Sequence, residues 1–184
     1  YQVRSPNVQE KKRWRQMIAF QFLAPGAPFI YYGDECGMWG ADDPDCRKPM
    51  LWDDLRYDAE QAHPFGLSRS KESVEIDKTM LQFYREWVAL RRSYSVLQKG
   101  DFRWSLTDND KRLISFQRSY QDTRVIALFN AGKLPQKVAR EKIGMLNSSS
   151  WKTLGGGRPE SIITVEPRSF SVYLNTNVLQ PEQP

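Results

Sequence analysis

Hydrophobic positions in the first quarter of the chain change period twice. Trp14, Met17, Ile18 and Phe22 recur at helical spacing, behind a capping-box pattern at Asn7 and Glu10 with Pro6 just ahead of it. Pro25-Gly26 stops the run, which predicts a helix over residues 9–24. Residues 27–32 then form a short apolar run rich in β-formers and closed by Gly33, the pattern of a strand buried on both faces. Residues 33–73 show no sustained period and many Gly, Pro and Asp residues, which predicts a long loop, and loops of that length inside a domain are usually functional. Ile76, Met80, Phe83, Trp87 and Leu90 restore the helical period, with Asp77 at its start. From Gly100 the pattern becomes one of short runs, at 102–106, 113–118, 125–130, 136–140, 161–165 and 169–174, broken by turn clusters such as Asp108-Asn-Asp and Gly155-Gly-Gly. Six or seven strands of this kind predict an antiparallel β-sandwich. The polar tail after Asn175 is predicted to fray.

The loop after Gly33 concentrates the chemistry. Asp34, Glu35, Asp42, Asp43, Asp45 and Arg47 stand there beside Trp39 and Trp52, a mixture suited to bonding hydroxyls and covering flat apolar faces. Asp43 and Arg47 can grip a hydroxyl-bearing ligand, the carboxylate accepting and the guanidinium donating, or they can close on each other as an ion pair. Asp45 fits either a ligand contact of the same kind or an Asx-turn after Pro44. Trp39 can stack on a ring or anchor the loop, while Trp52, in a Pro-Met-Leu-Trp block, is expected to pack inward. Asp34 and Glu35 tempt assignment as a catalytic pair. Neighbours on an extended chain point to opposite faces, however, so they are read with Gly33 as structural groups at the strand exit. By the same alternation Tyr31 and Tyr32 are expected on opposite sides.

Composition bounds the remaining classes. The chain has 184 residues, 40% hydrophobic, enough for one respectable core or two small ones. No apolar run reaches the ~20 residues of a spanning helix. The net charge of +5 is dispersed among carboxylates, so a nucleic-acid partner is not expected. Cys36 and Cys46 lie in one loop and can form a disulfide or remain thiols. His63 is the single histidine, which leaves no zinc set, and no metal site or cofactor is expected in this segment. A chain opening on Tyr1, with no signal-peptide pattern behind it, reads as a cut end.

Residues 26–35 read Gly-Ala-Pro-Phe-Ile-Tyr-Tyr-Gly-Asp-Glu. This resembles the α-amylase family of glycoside hydrolases, whose eighth barrel strand carries Gly-x-Pro-x-Ile-Tyr-Tyr-Gly-Asp-Glu. The continuation Asp43-Pro-Asp-Cys-Arg47-Lys-Pro-Met-Leu-Trp52 is similar to the neopullulanase and cyclomaltodextrinase branch, where an Asp and an Arg four residues apart contact sugar near the cleavage site. The resemblance implies an α+β fragment: residues 1–97 as the last helix–strand–helix portion of a (β/α)₈ TIM barrel, 98–175 as an antiparallel β-sandwich, and 176–184 as a tail. It further implies a retaining enzyme acting on α-glucosidic bonds of starch-like or cyclic glucans. Such enzymes need two carboxylates about 5 Å apart. In this family they come from the fourth and fifth strands, with a third carboxylate after the seventh, and none of those motifs occurs here. No catalytic residue is therefore expected in this segment, the isolated chain is expected to be inactive, and calcium is a question for the parent enzyme alone. The resemblance favours a secreted, periplasmic or cell-envelope location. A strand and helices cut from a barrel would leave apolar surface open to self-association.

A second reading is a non-catalytic carbohydrate-binding sandwich over residues 100–174. It needs exposed aromatics, for which Trp104, Tyr120, Trp151 and Tyr173 are the candidates.

Overall fold

The computed structural model describes residues 3–146 and 148–176. The chain divides into two units: one runs through Lys11 and resumes over Pro28–Ala89, and the other joins Lys12–Ala27 to the chain from Leu90 onward. The expectation for the tail lies outside the described residues after Thr176.

Helix α1 spans Val8–Leu23. Its capping box forms as the sequence predicts: Asn7 Oδ1 accepts from the Gln9 and Glu10 amides at 2.9 and 3.0 Å, and Glu10 Oε2 accepts from the Asn7 amide at 2.7 Å. The buried face differs from the expected one. Gln16, Ile18, Ala19, Phe22 and Leu23 are buried, while Met17 is 70% exposed. A polar residue holds the inward position because both its amide protons are used: Gln16 Nε2 donates to the Asn130 and Ser169 carbonyls at 2.9 and 2.7 Å.

Helix α2 spans Lys78–Ser93 and buries Met80, Tyr84 and Trp87. Asp77 caps it, accepting from the Thr79 and Met80 amides at 3.1 and 3.0 Å. A short helix α3, Ser95–Lys99, follows.

Five strands, β1 (Asp101–Asp108), β2 (Leu113–Tyr120), β3 (Thr123–Asn130), β7 (Ser169–Asn175) and β5 (Trp151–Thr153), form one antiparallel sheet in the order β1-β2-β3-β7-β5. Strands β4 (Gln136–Ala139) and β6 (Ile162–Val165) form a second antiparallel pair. All six predicted runs are strands. The three-residue β5 is too short to show an alternating pattern. Leu113, Ile126, Leu128 and Tyr173 of the large sheet share one core with Val138, Ile163 and Val165 of the small one. The opposite face of the large sheet carries Phe116 and Phe129, and Phe20 of α1 meets their rings edge-on at 5.5 and 5.8 Å. The chain is thus a mixed α/β fragment with antiparallel sheets.

Residues 27–32 are not a strand. They take part in no ladder, and Phe29, Ile30, Tyr31 and Tyr32 are 76%, 38%, 43% and 43% exposed. A buried strand exists only between partners, and every sheet strand among the described residues is committed to the antiparallel pairs above. Without a pleat the expected alternation fails as well: the Tyr31 and Tyr32 rings lie 4.8 Å apart.

Candidate functional site

The loop begins with a glycine-dependent turn. Gly33 sits at φ +88°, and a Cβ there would clash with Met38 Sδ. The turn folds because the Gly33 carbonyl accepts from both the Cys36 and Met38 amides at 3.0 Å. Glu35 Oε2 accepts from the Gly33 amide at 3.0 Å. Asp34 is half-buried, and burial first, then the neighbouring Glu35, raises its pKa. Gly33→Ala is expected to destabilise by about 1–2 kcal/mol for the left-handed backbone alone, with the Met38 clash added, measurable as a lower urea midpoint.

Beyond Trp39 two tight turns follow, closed by Asp45 N to Asp42 O at 2.7 Å and Arg47 N to Pro44 O at 2.9 Å. They bring Asp43 and Arg47 together on the surface. Arg47 Nε and Nη2 meet the two carboxylate oxygens at 2.7 and 2.9 Å, with side chains 66% and 54% exposed. This fork-to-fork pair is open to solvent, so holding the loop together with it contributes little. Its planar array of donors and acceptors faces outward.

Asp45 points the other way. It is 3% exposed, and its Oδ2 accepts from the Ala41 amide at 2.6 Å and from Arg69 Nη2 at 2.5 Å. Burial pushes its carboxyl up, but the bonds from Arg69 and Ala41, with Lys48 nearby, outweigh burial and hold it below the usual carboxylate range. Arg69 also bonds Glu60 at 2.7 Å and the Ala62 carbonyl at 3.0 Å. Glu60 in turn takes Lys48 at 2.6 Å. Backbone bonds between Glu60 and Glu72, at 2.8 and 2.9 Å, fold residues 60–72 back on themselves.

Trp39 lies inside this network, with Lys48 Nζ 4.3 Å and the Arg69 guanidinium 5.0 Å from its ring centre. The indole is therefore held rigidly as well as half-exposed, and anchoring and stacking are compatible. Trp52 is 58% exposed, and Leu51 takes the inward position in its place. Cys36 and Cys46 are free thiols, with burial raising the first. His63 is buried, its Nδ1 accepting from the Phe65 amide at 3.2 Å.

Of the residues singled out in the sequence, the structure joins Asp43 to Arg47 and gathers Trp39 and Asp45 around Arg69. Gly33, Asp34 and Glu35 stand apart in their own turn. Lys48, Glu60 and Arg69 escaped sequence reasoning. Arg69 lies 24 residues after Asp45 in an aperiodic segment, and no local signal ties one to the other. Among the aromatics of residues 100–174, Trp151 and Tyr173 are buried and Trp104 is 51% exposed.

The family model for the α-amylase catalytic domain matches residues 3–100. The intracellular maltogenic amylase of Bacillus subtilis is 30% identical over 167 residues, covering 89% of this chain and 25% of that protein. Neopullulanase 2 of Thermoactinomyces vulgaris is 35% identical over 122 residues, 66% of this chain and 18% of its own. Among solved structures, an Anoxybacillus α-amylase superposes with a TM-score of 0.67 at 21% identity, over 91% of this chain and 33% of the other. The chain belongs to the α-amylase family of glycoside hydrolases, on its neopullulanase-like branch. It spans a quarter or less of the length of these two curated relatives.

Proposed function

We propose that this chain is the C-terminal portion of a retaining glycoside hydrolase that cleaves α-glucosidic bonds in starch-like or cyclic glucans. In this reading residues 1–97 complete a (β/α)₈ barrel, 98–175 form its C-terminal β-sandwich, and Phe29 to Tyr32 pair with barrel strands outside this chain. The observation that carries the reading is the outward-facing Asp43–Arg47 fork on a loop whose sequence matches the branch. On ligand binding the fork opens, the guanidinium donating to and the carboxylate accepting from hydroxyls of one sugar ring, at little cost because the pair is solvated. Asp45 serves by fastening the turn that presents the fork, and Trp39 by presenting a rigid apolar face. Gly33, Asp34 and Glu35 shape the loop's entry.

The chemistry itself belongs to carboxylates on strands that this chain does not carry. Purified on its own, the chain should release no glucose or maltose from maltooligosaccharides, whereas the longer enzyme should hydrolyse them with retained anomeric configuration, followed by NMR. In that enzyme Arg47→Ala should raise KM on the order of tenfold, the worth of one charged hydrogen bond. Turnover by the isolated chain, or an unchanged KM in the variant, would overturn the assignment.

A further inference from the structure

Within the first unit, the chain that enters α1 is fastened to the far end of the long loop by polar side chains. Glu72 accepts from the Ser5 amide through both carboxylate oxygens, at 3.1 and 3.0 Å. Ser70 Oγ adds a bond at 3.3 Å. Burial raises the pKa of Glu72, but the bonds from Ser5 and Ser70 and the charge of Arg69 outweigh it and hold the carboxyl below its usual range. The Ser5 carbonyl is held too: Arg4 Nη1 donates to it at 2.8 Å while the same guanidinium grips Glu10 of the capping box at 2.8 and 3.0 Å. A second tie runs from Lys11 to Asp77 at 2.9 Å.

These ties bridge a gap. A cleft of about 700 Å³ is lined by Ser5, Pro6 and Lys11 from one segment and by Glu72, Ile76 and Asp77, among others, from the other. Segments that face each other across such a space depend on the bonds that span it. On the loop side, Glu72 pairs through its backbone with Glu60, whose carboxylate bonds Arg69, which in turn fastens Asp45 and the turn of the fork. A continuous run of bonds thus leads from Ser5 to the fork.

What the tie does follows from the proposed barrel. In a (β/α)₈ fold the chain between a strand and the next helix lies on the face that holds the active site, and reacting groups come from the ends of several strands. Residues 3–7 lead into α1 and residues 33–77 into α2, so in that reading they are successive loops of this face. The first adjoins the strand end ahead of α1, and the second carries the fork. Their spacing sets the gripped ring against the reacting groups, where a displacement of about 1 Å can cost a hundredfold in rate.

We infer that Glu72 is a positioning residue of the proposed enzyme, which clamps the Ser5 amide and so holds the loop ahead of α1 in register with the loop that carries Asp43 and Arg47. The inference rests on the barrel reading of residues 1–97. Glu72 acts only through the chain it clamps.

Steady-state kinetics of the longer enzyme test it. Glu72→Ala should lower kcat about tenfold and leave KM within about twofold, the reverse of Arg47→Ala, because the fork still grips its ring while the reacting groups are misplaced. Glu72→Gln keeps one accepting oxygen for Ser5 and should lose only about threefold in kcat. In the present chain, hydrogen exchange at the Ser5 amide should quicken about tenfold in Glu72→Ala. A kcat within about twofold of wild type, a KM that rises in place of a kcat that falls, or unchanged exchange at Ser5 would overturn the role. Should Glu72→Ala not fold, Glu72→Gln decides by the same kinetic split and the same exchange. Absence of turnover by the wild-type longer enzyme would overturn the proposed function instead, and the clamp is then judged by exchange at Ser5.

Discussion

Arg118→Met is expected to destabilise the second unit by about 3–5 kcal/mol, because several buried carbonyls lose their donor at about 1–3 kcal/mol each. Arg118 is 1% exposed on β2, and among the described residues the hydrogen bonds of its guanidinium go to backbone carbonyls, with the Asp101 carboxylate acting on it only through its charge. It donates to the Leu23, Leu97 and Gly100 carbonyls at 2.8, 3.2 and 2.8 Å and, through Nε, to that of Asp101 at 3.1 Å. Leu23 and Leu97 lie in the last turns of α1 and α3, where unpaired carbonyls give each helix its negative end. The cation is stabilised there by dipoles. Burial, reinforced by Arg91, lowers its pKa. Methionine fills similar space and removes the desolvated charge, but it leaves four acceptors short of a donor. Arg118→Lys should recover less than half the loss, because an ammonium lacks the planar fork that reaches three elements at once. Urea unfolding followed by circular dichroism reads the effect. A loss under about 1 kcal/mol would show that water satisfies those carbonyls unaided.

Arg118 also marks where sequence reading stops. Its strand was legible, since residues 113–118 have β-forming character between clear turns, and so were both long helices and their caps, because caps are local. The same alternation hid the arginine's role: Phe116 and Arg118 share a face, and only the approach of α1 and α3 makes a cation acceptable beside a phenylalanine. Gln16 was missed for the same reason, being polar in sequence and buried in space because two carbonyls await it. At the loop, composition announced a polar, aromatic site, and the motif picked out Asp43 and Arg47. It did not distinguish Asp43, facing solvent, from Asp45, buried two residues later. That difference depends on Arg69, and pairing across 24 residues of aperiodic chain is tertiary information. Residues 27–32 failed in the opposite sense. Their local pattern is that of a strand, and what a strand also needs is a neighbour.

Arg69→Met should be the most damaging single change in the first unit, again about 3–5 kcal/mol, with a signature in pH. The side chains of Arg69 and Asp45 are 0% and 2% exposed. Removing the guanidinium leaves the Asp45 carboxylate buried with the Ala41 amide as its remaining close donor, whereas Glu60 keeps Lys48. Asp45→Asn should cost less, since Arg69 retains Glu60 and the amide oxygen can still accept. Wild-type Asp45 has a folded pKa below its unfolded value, so its contribution is present above about pH 4 and is lost as pH falls through the depressed value. In Arg69→Met burial acts on that carboxyl against only the Ala41 amide and nearby Lys48, so its folded pKa rises relative to the wild type and acid weakens the variant less than it weakens the wild type. The stability gap between them should therefore be widest near pH 7 and narrow steadily below about pH 4, read from urea midpoints across the range. A gap constant with pH would mean that the loss is one of packing around Trp39 and not of charge pairing. Because Asp45 fastens the turn that carries Asp43 and Arg47, a charge-pairing result would also make Arg69, which touches no proposed ligand, the residue that sets where the fork points.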